Sequence, residues 1–197
     1  MHYTTMKKEI EAAFLSVDKN AVRERFEKVG FTLLAPEYMM KRKVFDIPTS
    51  ESGHNKWGRV RQESGKVTMT IKDVYGTGIN DVSEVELVIN DFETGVLFFE
   101  ELGIRAKAFQ ETLREVWERG DVETTIDTWP GLAPFVEIEG PDEDTVRSAA
   151  EELGFDFTQA VFGPVGVIYE KELGIPEAVV NKLPEITFAH PPKKNAA

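Results

Sequence analysis

The chain has 197 residues, about one domain with at most an extension, and its 41% hydrophobic and 29% charged residues are ordinary for a folded soluble protein. It contains no cysteine, which excludes disulfide frameworks, thiol nucleophiles and cysteine-based zinc sites. A formal net charge of −12 argues against nucleic acid as a partner, since phosphate backbones recruit basic patches, but allows a small anion in a local basic pocket.

Met1 to Lys8 carries no apolar run after its lysines, and no segment approaches the ~18 apolar residues that span a bilayer. No signal peptide and no membrane partner are therefore expected, and the default location is cytoplasmic. A strand over 6–14 contains Glu9-Ile10-Glu11, and a helix follows from Asp18 to Gly30 with Ala21, Val22, Phe26 and Val29 on one face. Strands are predicted over 38–47, 57–63 and 66–73, the last two joined by a Ser64-Gly65 turn. The strand over 82–89 holds Glu84-Val85-Glu86 and feeds a helix from Asp91 to Gly103, which carries Phe92, Val96, Phe99 and Leu102. Strands over 104–118 and 121–128 meet at Arg119-Gly120-Asp121. The last strand, 134–140, holds Glu137-Ile138-Glu139 and feeds a helix from Asp142 to Gly154 with Val146, Ala149, Ala150 and Leu153 inward. Each helix opens on an aspartate able to cap its first amides and closes on a glycine able to turn left-handed. An acidic–aliphatic–acidic strand thus feeds a short helix three times, at unequal spacing: one unit reused in a compact fold, not a solenoid. Prolines punctuate the chain from Ile175, where a short helix around Glu177–Leu183 and a loosely held end from His190 are expected.

Residues two apart in a strand share a face. Glu9 with Glu11, Arg59 with Arg61, Glu84 with Glu86, and Glu137 with Glu139 are therefore same-side pairs, with Lys72, Arg114 and Asp127 on the same parity. The opposite faces hold Ile10, Val60, Ile71, Val85 and Ile138. A solvated outer face would mix signs, whereas these pairs are purely acidic or purely basic. A barrel accounts for them, with helices over the aliphatic outside and the charged face around a lumen. Seven lumen carboxylates need neutralising; carboxylate clusters suit Mg²⁺ or Mn²⁺, and guanidinium pairs suit phosphate oxygens. Other motifs contribute little. Gly76-Thr77-Gly78 lacks a dinucleotide fingerprint, His2, His54 and His190 are too scattered for zinc, and Trp57, Trp117 and Trp129 are expected to serve packing.

Glu9-Ile10-Glu11, Arg59-Val60-Arg61, Lys72, Glu84-Val85-Glu86, Arg114, Asp127 and Phe135-Val136-Glu137-Ile138-Glu139-Gly140, with Val44-Phe45-Asp46, resemble in order the motifs of the CYTH family, or triphosphate tunnel metalloenzymes. That family includes class IV adenylate cyclases, thiamine triphosphatases and inorganic tripolyphosphatases. The resemblance covers roughly residues 7–172. It implies an α+β fold, an eight-stranded antiparallel barrel with helices outside, as a domain over 1–174 followed by an extension over 175–197. It also implies Mg²⁺ or Mn²⁺ on Glu9, Glu11, Asp127, Glu137 and Glu139, phosphate on Arg59, Arg61, Lys72 and Arg114, and catalysis by Glu11, Lys72 and Arg114. Glu84 and Glu86 would orient the bases. The expected partner is a small anionic triphosphate, with a homodimer left open.

Two positions depart from the family pattern. Ala13 and Thr112 stand where it has lysines. Lys41 and Lys43 are the expected substitutes for the lost charge, and Ala13→Lys is expected to restore rate. Three functions follow: hydrolysis of a triphosphate, favoured because no base-recognition motif is visible; cyclisation of a nucleotide; or binding without turnover.

Overall fold

Opposite faces of each strand carry different chemistry, and this decides which way the sheet curls. The computed structural model describes residues 6–194; His2 and the final three residues of the expected loose end fall outside the described residues. The strands are β1 (Lys7–Glu9), β2 (Glu11–Phe14), β3 (Thr32–Ile47), β4 (Asn55–Gln62), β5 (Val67–Val74), β6 (Val82–Ile89), β7 (Ala106–Arg119), β8 (Val122–Thr128), β9 (Phe135–Glu139) and β10 (Glu185–Ile186). The first nine follow the order β1-β6-β5-β4-β3-β7-β8-β9-β2, every neighbouring pair antiparallel, and β10 adds to β7 in parallel.

β1 and β2 are halves of one run broken at Ile10. β1 pairs with β6, placing Lys7 opposite Glu84, and β2 pairs with β9, placing Glu11 opposite Glu139. The two ends of the sheet are therefore one residue apart in the chain, and the barrel nearly closes. Nine strands surround it rather than the expected eight, because this first strand divides. Closure leaves almost no unpaired edge to aggregate.

Helices α1 (Lys19–Val29), α2 (Phe92–Glu101) and α3 (Glu143–Glu152) lie outside the barrel. Asp18, Asp91 and Asp142 accept from the backbone N–H groups of Ala21, Thr94 and Thr145 at 2.9, 2.7 and 2.7 Å, as expected of N-caps. Gly30 ends α1 at φ 88°, a conformation that costs glycine nothing. α1 and α3 bury Phe26, Val146 and Leu153 against the outward Ile126, Val136 and Ile138. α2 covers β4 and β5 through Phe99, which stacks on Phe45 at 4.4 Å. Gly58 permits this approach, since a Cβ there would lie 2.9 Å from the Phe99 ring.

Two further helices, α4 (Val165–Leu173) and α5 (Glu177–Val180), gather Ile168, Tyr169, Val180 and Ile186 around Ala13 and Phe135. Ala13 and Phe135 have lumen parity, so this C-terminal segment packs across the barrel at the end of β2. α4 was not expected from the sequence. Its N-cap is Pro164, without a side-chain acceptor. Three expected positions differ. Ala21 and Leu102 are exposed, and Val85 lies under no helix, being 43% exposed beside exposed Leu87 and Val88. β3 starts six residues before 38, with register shifts at Leu33–Ala35 and Ala35–Tyr38 that accommodate Pro36. Among the described residues no helix is long and apolar enough to cross a membrane.

Candidate active site

Inward side chains enclose a cavity of about 840 Å³. Ten of the eleven charged residues expected on one face, Glu9, Glu11, Arg59, Arg61, Lys72, Glu84, Glu86, Arg114, Glu137 and Glu139, line it, and Asp127 does not. Around the barrel they are sorted by sign. The consecutive strands β5, β4, β3 and β7 carry Lys72, Arg59 with Arg61, Arg42, and Arg114. The remaining wall, β8, β9, β2, β1 and β6, carries Glu123, Glu137 with Glu139, Glu11, Glu9, and Glu84 with Glu86, with Lys7 at the start of β1 as a base among them. Eight of the chain's 23 Lys and Arg line the cavity but only nine of its 35 Asp and Glu, so a strongly acidic protein has a nearly balanced lumen.

Register places the partners. Lys72 lies opposite Glu84 and reaches Glu9, with both Glu9 oxygens accepting from its ammonium, and the Glu84 carboxylate is 3.7 Å away. Glu86 accepts from the Thr70 hydroxyl at 2.9 Å and lies 3.7 and 3.8 Å from Arg59 and Arg61. Both glutamates therefore sit where they orient the bases. Arg61 also donates to Glu63 at 2.7 Å. Asp127 lies opposite Arg114 and is fully buried. Its oxygens accept from Arg114 Nε at 2.7 Å and from Nη2, which also donates to Glu137 at 2.7 Å. Asp127 is the one expected metal ligand that does not line the cavity. With both oxygens engaged, it anchors a guanidinium instead.

The acidic wall is electrostatically strained. Burial first, then Glu9 and Glu139, push the Glu11 carboxyl up to about 7. Burial, Asp127 and Glu11 raise Glu137 well above the usual carboxylate range, and burial raises Glu84. Glu9 also suffers from burial, but the Lys72 ammonium outweighs it and holds this carboxyl below its usual value. On the basic wall, burial and then Arg61 lower Arg59 to about 10. Each wall lacks part of the countercharge it needs, and a ligand carrying both signs supplies it.

Ala13 is buried in the apolar cluster under α4, and its backbone N–H donates to the Val161 carbonyl at 2.9 Å. A lysine there would have to fit its stem into the cluster of Phe135, Ile168 and Tyr169 before its ammonium met Glu137, the cross-strand partner of Ala13, so overpacking opposes the gain expected from Ala13→Lys. Thr112 is fully buried and accepts from Arg42 Nη2 at 2.6 Å. The expected substitutes Lys41 and Lys43 do not line the cavity. Arg42 and Val44 do, because their partners across β4 are Arg61 and Arg59. Lys7, at the start of β1, lines the lumen and bonds Glu139 at 3.2 Å.

Trp57 and Trp129 also face the lumen rather than serving packing alone. Lys72 lies 5.8 Å from the Trp57 ring and Arg42 4.7 Å from that of Trp129. Their signal was available, since Trp57 shares parity with Arg59 and Trp129 with Asp127. Glu63, Lys66, Lys107, Glu123 and Glu177 are further lumen charges that no motif marked.

Among the described residues, the group whose metal-capable atoms all lie within 4.8 Å of one another is Glu51, His54 and Asp73, away from the lumen lining. His54 Nδ1 is 2.9 Å from Asp73, and the Lys56 ammonium is 2.9 Å from Glu51 and 3.4 Å from Asp73. A cationic side chain already fills the place between these carboxylates. The tunnel glutamates differ: they are crowded enough to raise each other's pKa and offer hard oxygen donors, the chemistry that suits Mg²⁺ or Mn²⁺.

Comparison with known proteins agrees with this architecture. A curated Methanocaldococcus jannaschii protein, MJ0240, provisionally named an adenylate cyclase, is 29% identical over 135 residues, 66% of this chain and 75% of its own. The PH1012 protein of Pyrococcus horikoshii superposes with a TM-score of 0.65 at 21% identity, over 77% of this chain and 93% of that one. The Hippeastrum protein HpAC1, a provisional adenylyl cyclase whose structure is described as revealing a dominant triphosphatase activity, gives 0.50 at 13% identity over 86% and 98%. The CYTH domain profile matches residues 45–160, from the end of β3 through α3. That span is more than half of the chain and contains Arg59, Arg61, Lys72 and Arg114 of the basic wall and the Glu137–Glu139 strand, and the protein belongs to the CYTH domain family.

Proposed function

We propose that the tunnel is the active site of a metal-dependent enzyme that hydrolyses a triphosphate: a nucleoside triphosphate, thiamine triphosphate or inorganic tripolyphosphate. The observation that carries this reading is the division of the lumen into a basic wall and an acidic wall. A triphosphate loaded with divalent cations presents anionic oxygens to the first and cations to the second.

Glu9, Glu11, Glu137 and Glu139 would hold Mg²⁺ or Mn²⁺, which neutralises phosphate oxygens and polarises the bond to be broken. Arg59 and Arg61, two apart on β4, grip successive phosphate oxygens with forked donors. Lys72 and Arg114 flank the acidic wall and stabilise charge that develops on the reacting phosphoryl group. Asp127 holds Arg114 in place from behind through two hydrogen bonds. Glu11 and Glu137, both raised by burial and by neighbouring carboxylates, must be ionised to serve, so metal affinity should fall as pH is lowered.

Cyclisation is the second reading, motivated by the names of the M. jannaschii and Hippeastrum relatives. Hydrolysis is preferred because attack by water needs no positioned ribose and the sequence carries no base-recognition motif. The deciding assay supplies tripolyphosphate or ATP with Mg²⁺ or Mn²⁺ and separates orthophosphate, pyrophosphate and cyclic nucleotide. Orthophosphate release is expected. Cyclic nucleotide with pyrophosphate would favour the second reading, and tight binding without product would make the protein a binding module.

A further inference from the structure

Every lumen base discussed so far has a carboxylate partner: Lys72 has Glu9, Arg59 has Glu86, Arg61 has Glu63, and Arg114 has Asp127. Arg42 does not. Among the described residues no carboxylate lies within salt-bridge distance of its guanidinium, yet Arg42 is 7% exposed. Its Nη2 donates to the Thr112 hydroxyl at 2.6 Å, its plane lies over Trp129 at 4.7 Å, and its Nε is buried without any partner. Register sets it directly opposite Arg61, one residue pair from Arg59.

Leaving a guanidinium in this state is costly. Guanidinium groups are kept charged by their chemistry, and a buried charge without a partner is among the least favourable arrangements in a folded protein. Burial, with Arg61, Arg59 and Arg114 nearby, pushes Arg42 well below the usual arginine range. The Thr112 and Trp129 contacts fix the direction of the fork without cancelling its charge. A buried guanidinium without a countercharge calls for an explanation, and Arg42 lines the cavity, where a ligand can supply that charge.

We infer that Arg42 is a fifth phosphate-binding base of the tunnel, its guanidinium donating to a phosphate oxygen held jointly with Arg61. The inference rests on the reading of the tunnel as a triphosphate site. It also returns to the lumen one of the two positive charges that alanine and threonine at positions 13 and 112 leave out. Thr112 takes part by seating the arginine that replaces a lysine. Lys41 and Lys43 point elsewhere and are not involved.

The test is calorimetric titration of the full chain with tripolyphosphate and Mg²⁺, comparing the wild type with Arg42→Gln and Arg61→Ala, together with their ligand-free melting temperatures. Arg42→Gln should weaken tripolyphosphate binding about 10- to 100-fold, the usual worth of a charged hydrogen bond. Its ligand-free melting temperature should stay level or rise, because an unpaired charge has been removed. Opposite signs in the two readouts separate a ligand-binding arginine from a structural one. A variant that melts lower or fails to fold would make Arg42 structural and overturn the inference. Unchanged affinity in Arg42→Gln with lost affinity in Arg61→Ala would overturn it while sparing the tunnel reading. No binding by the wild type would overturn both.

Discussion

Glu11→Gln removes one negative charge from the acidic wall with little change of shape, and its effect can be worked out in advance. The folded protein raises this carboxyl from 4.5 to about 7, chiefly through burial and then through Glu9 and Glu139. The folded state thus holds the proton more tightly than the unfolded chain, and ionising Glu11 costs stability. That cost is absent below 4.5, grows as pH rises, and is complete above about 7. The lift corresponds to about 3 kcal/mol, and water in the lumen screens it to about 1–3 kcal/mol. In chelator at about pH 8.5 the glutamine variant should therefore melt on the order of 5 °C above wild type, and near pH 4 the two should coincide. Added Mg²⁺ should raise the wild type at high pH and move the variant less, since the ion relieves the same repulsion. Scanning calorimetry across pH, with and without Mg²⁺, measures all of this. A variant less stable than wild type in chelator at both ends of the range would refute the reasoning.

Tripolyphosphate with Mg²⁺ should raise the melting temperature of the wild type, and Arg61→Ala should lose most of that rise in a thermal-shift assay. Ala13→Lys should destabilise the fold by about 1–3 kcal/mol in urea titration, because Ala13 is buried in the apolar cluster with Phe135, Ile168 and Tyr169 and the longer side chain overpacks it. Phe26→Ala, at a fully buried position beneath α1, should cost about 3–5 kcal/mol in the same titration while leaving the tripolyphosphate affinity of the folded fraction intact.

Strand parity carried most of the site. Glu9 and Glu11, Arg59 and Arg61, and Glu137 and Glu139 are pairs of one sign with an aliphatic residue between them, so a period of two assigns both faces at once. The capped helices were equally legible, because Asp18, Asp91 and Asp142 each precede an apolar 3.6-residue pattern. β3 was ambiguous. Lys41, Arg42 and Lys43 are consecutive bases, and Val44 and Phe45 are consecutive apolar residues, so neither face is distinguished until pairing with β4 sets Arg42 opposite Arg61. Asp127 had the right parity, but parity says nothing of depth. Only the β7–β8 register shows Arg114 lying over it. α4 lacked both an N-capping side chain and a wide polar face, since it packs among Ala13, Trp129 and Phe135. The exposure of Val85 was equally hidden: the three helices cover β2, β4, β5, β8 and β9 but meet β6 at its Ile89 end, leaving Val85, Leu87 and Val88 exposed.

The central claim is that a metal-loaded triphosphate lies between the two walls, and the most direct measurement is the anomalous diffraction of manganese in crystals grown with Mn²⁺ and tripolyphosphate. The account predicts manganese beside Glu9, Glu11, Glu137 and Glu139, with the phosphate chain against Arg59, Arg61 and Lys72. Manganese at Glu51, His54 and Asp73 instead, or a phosphate chain bound outside the barrel, would contradict it.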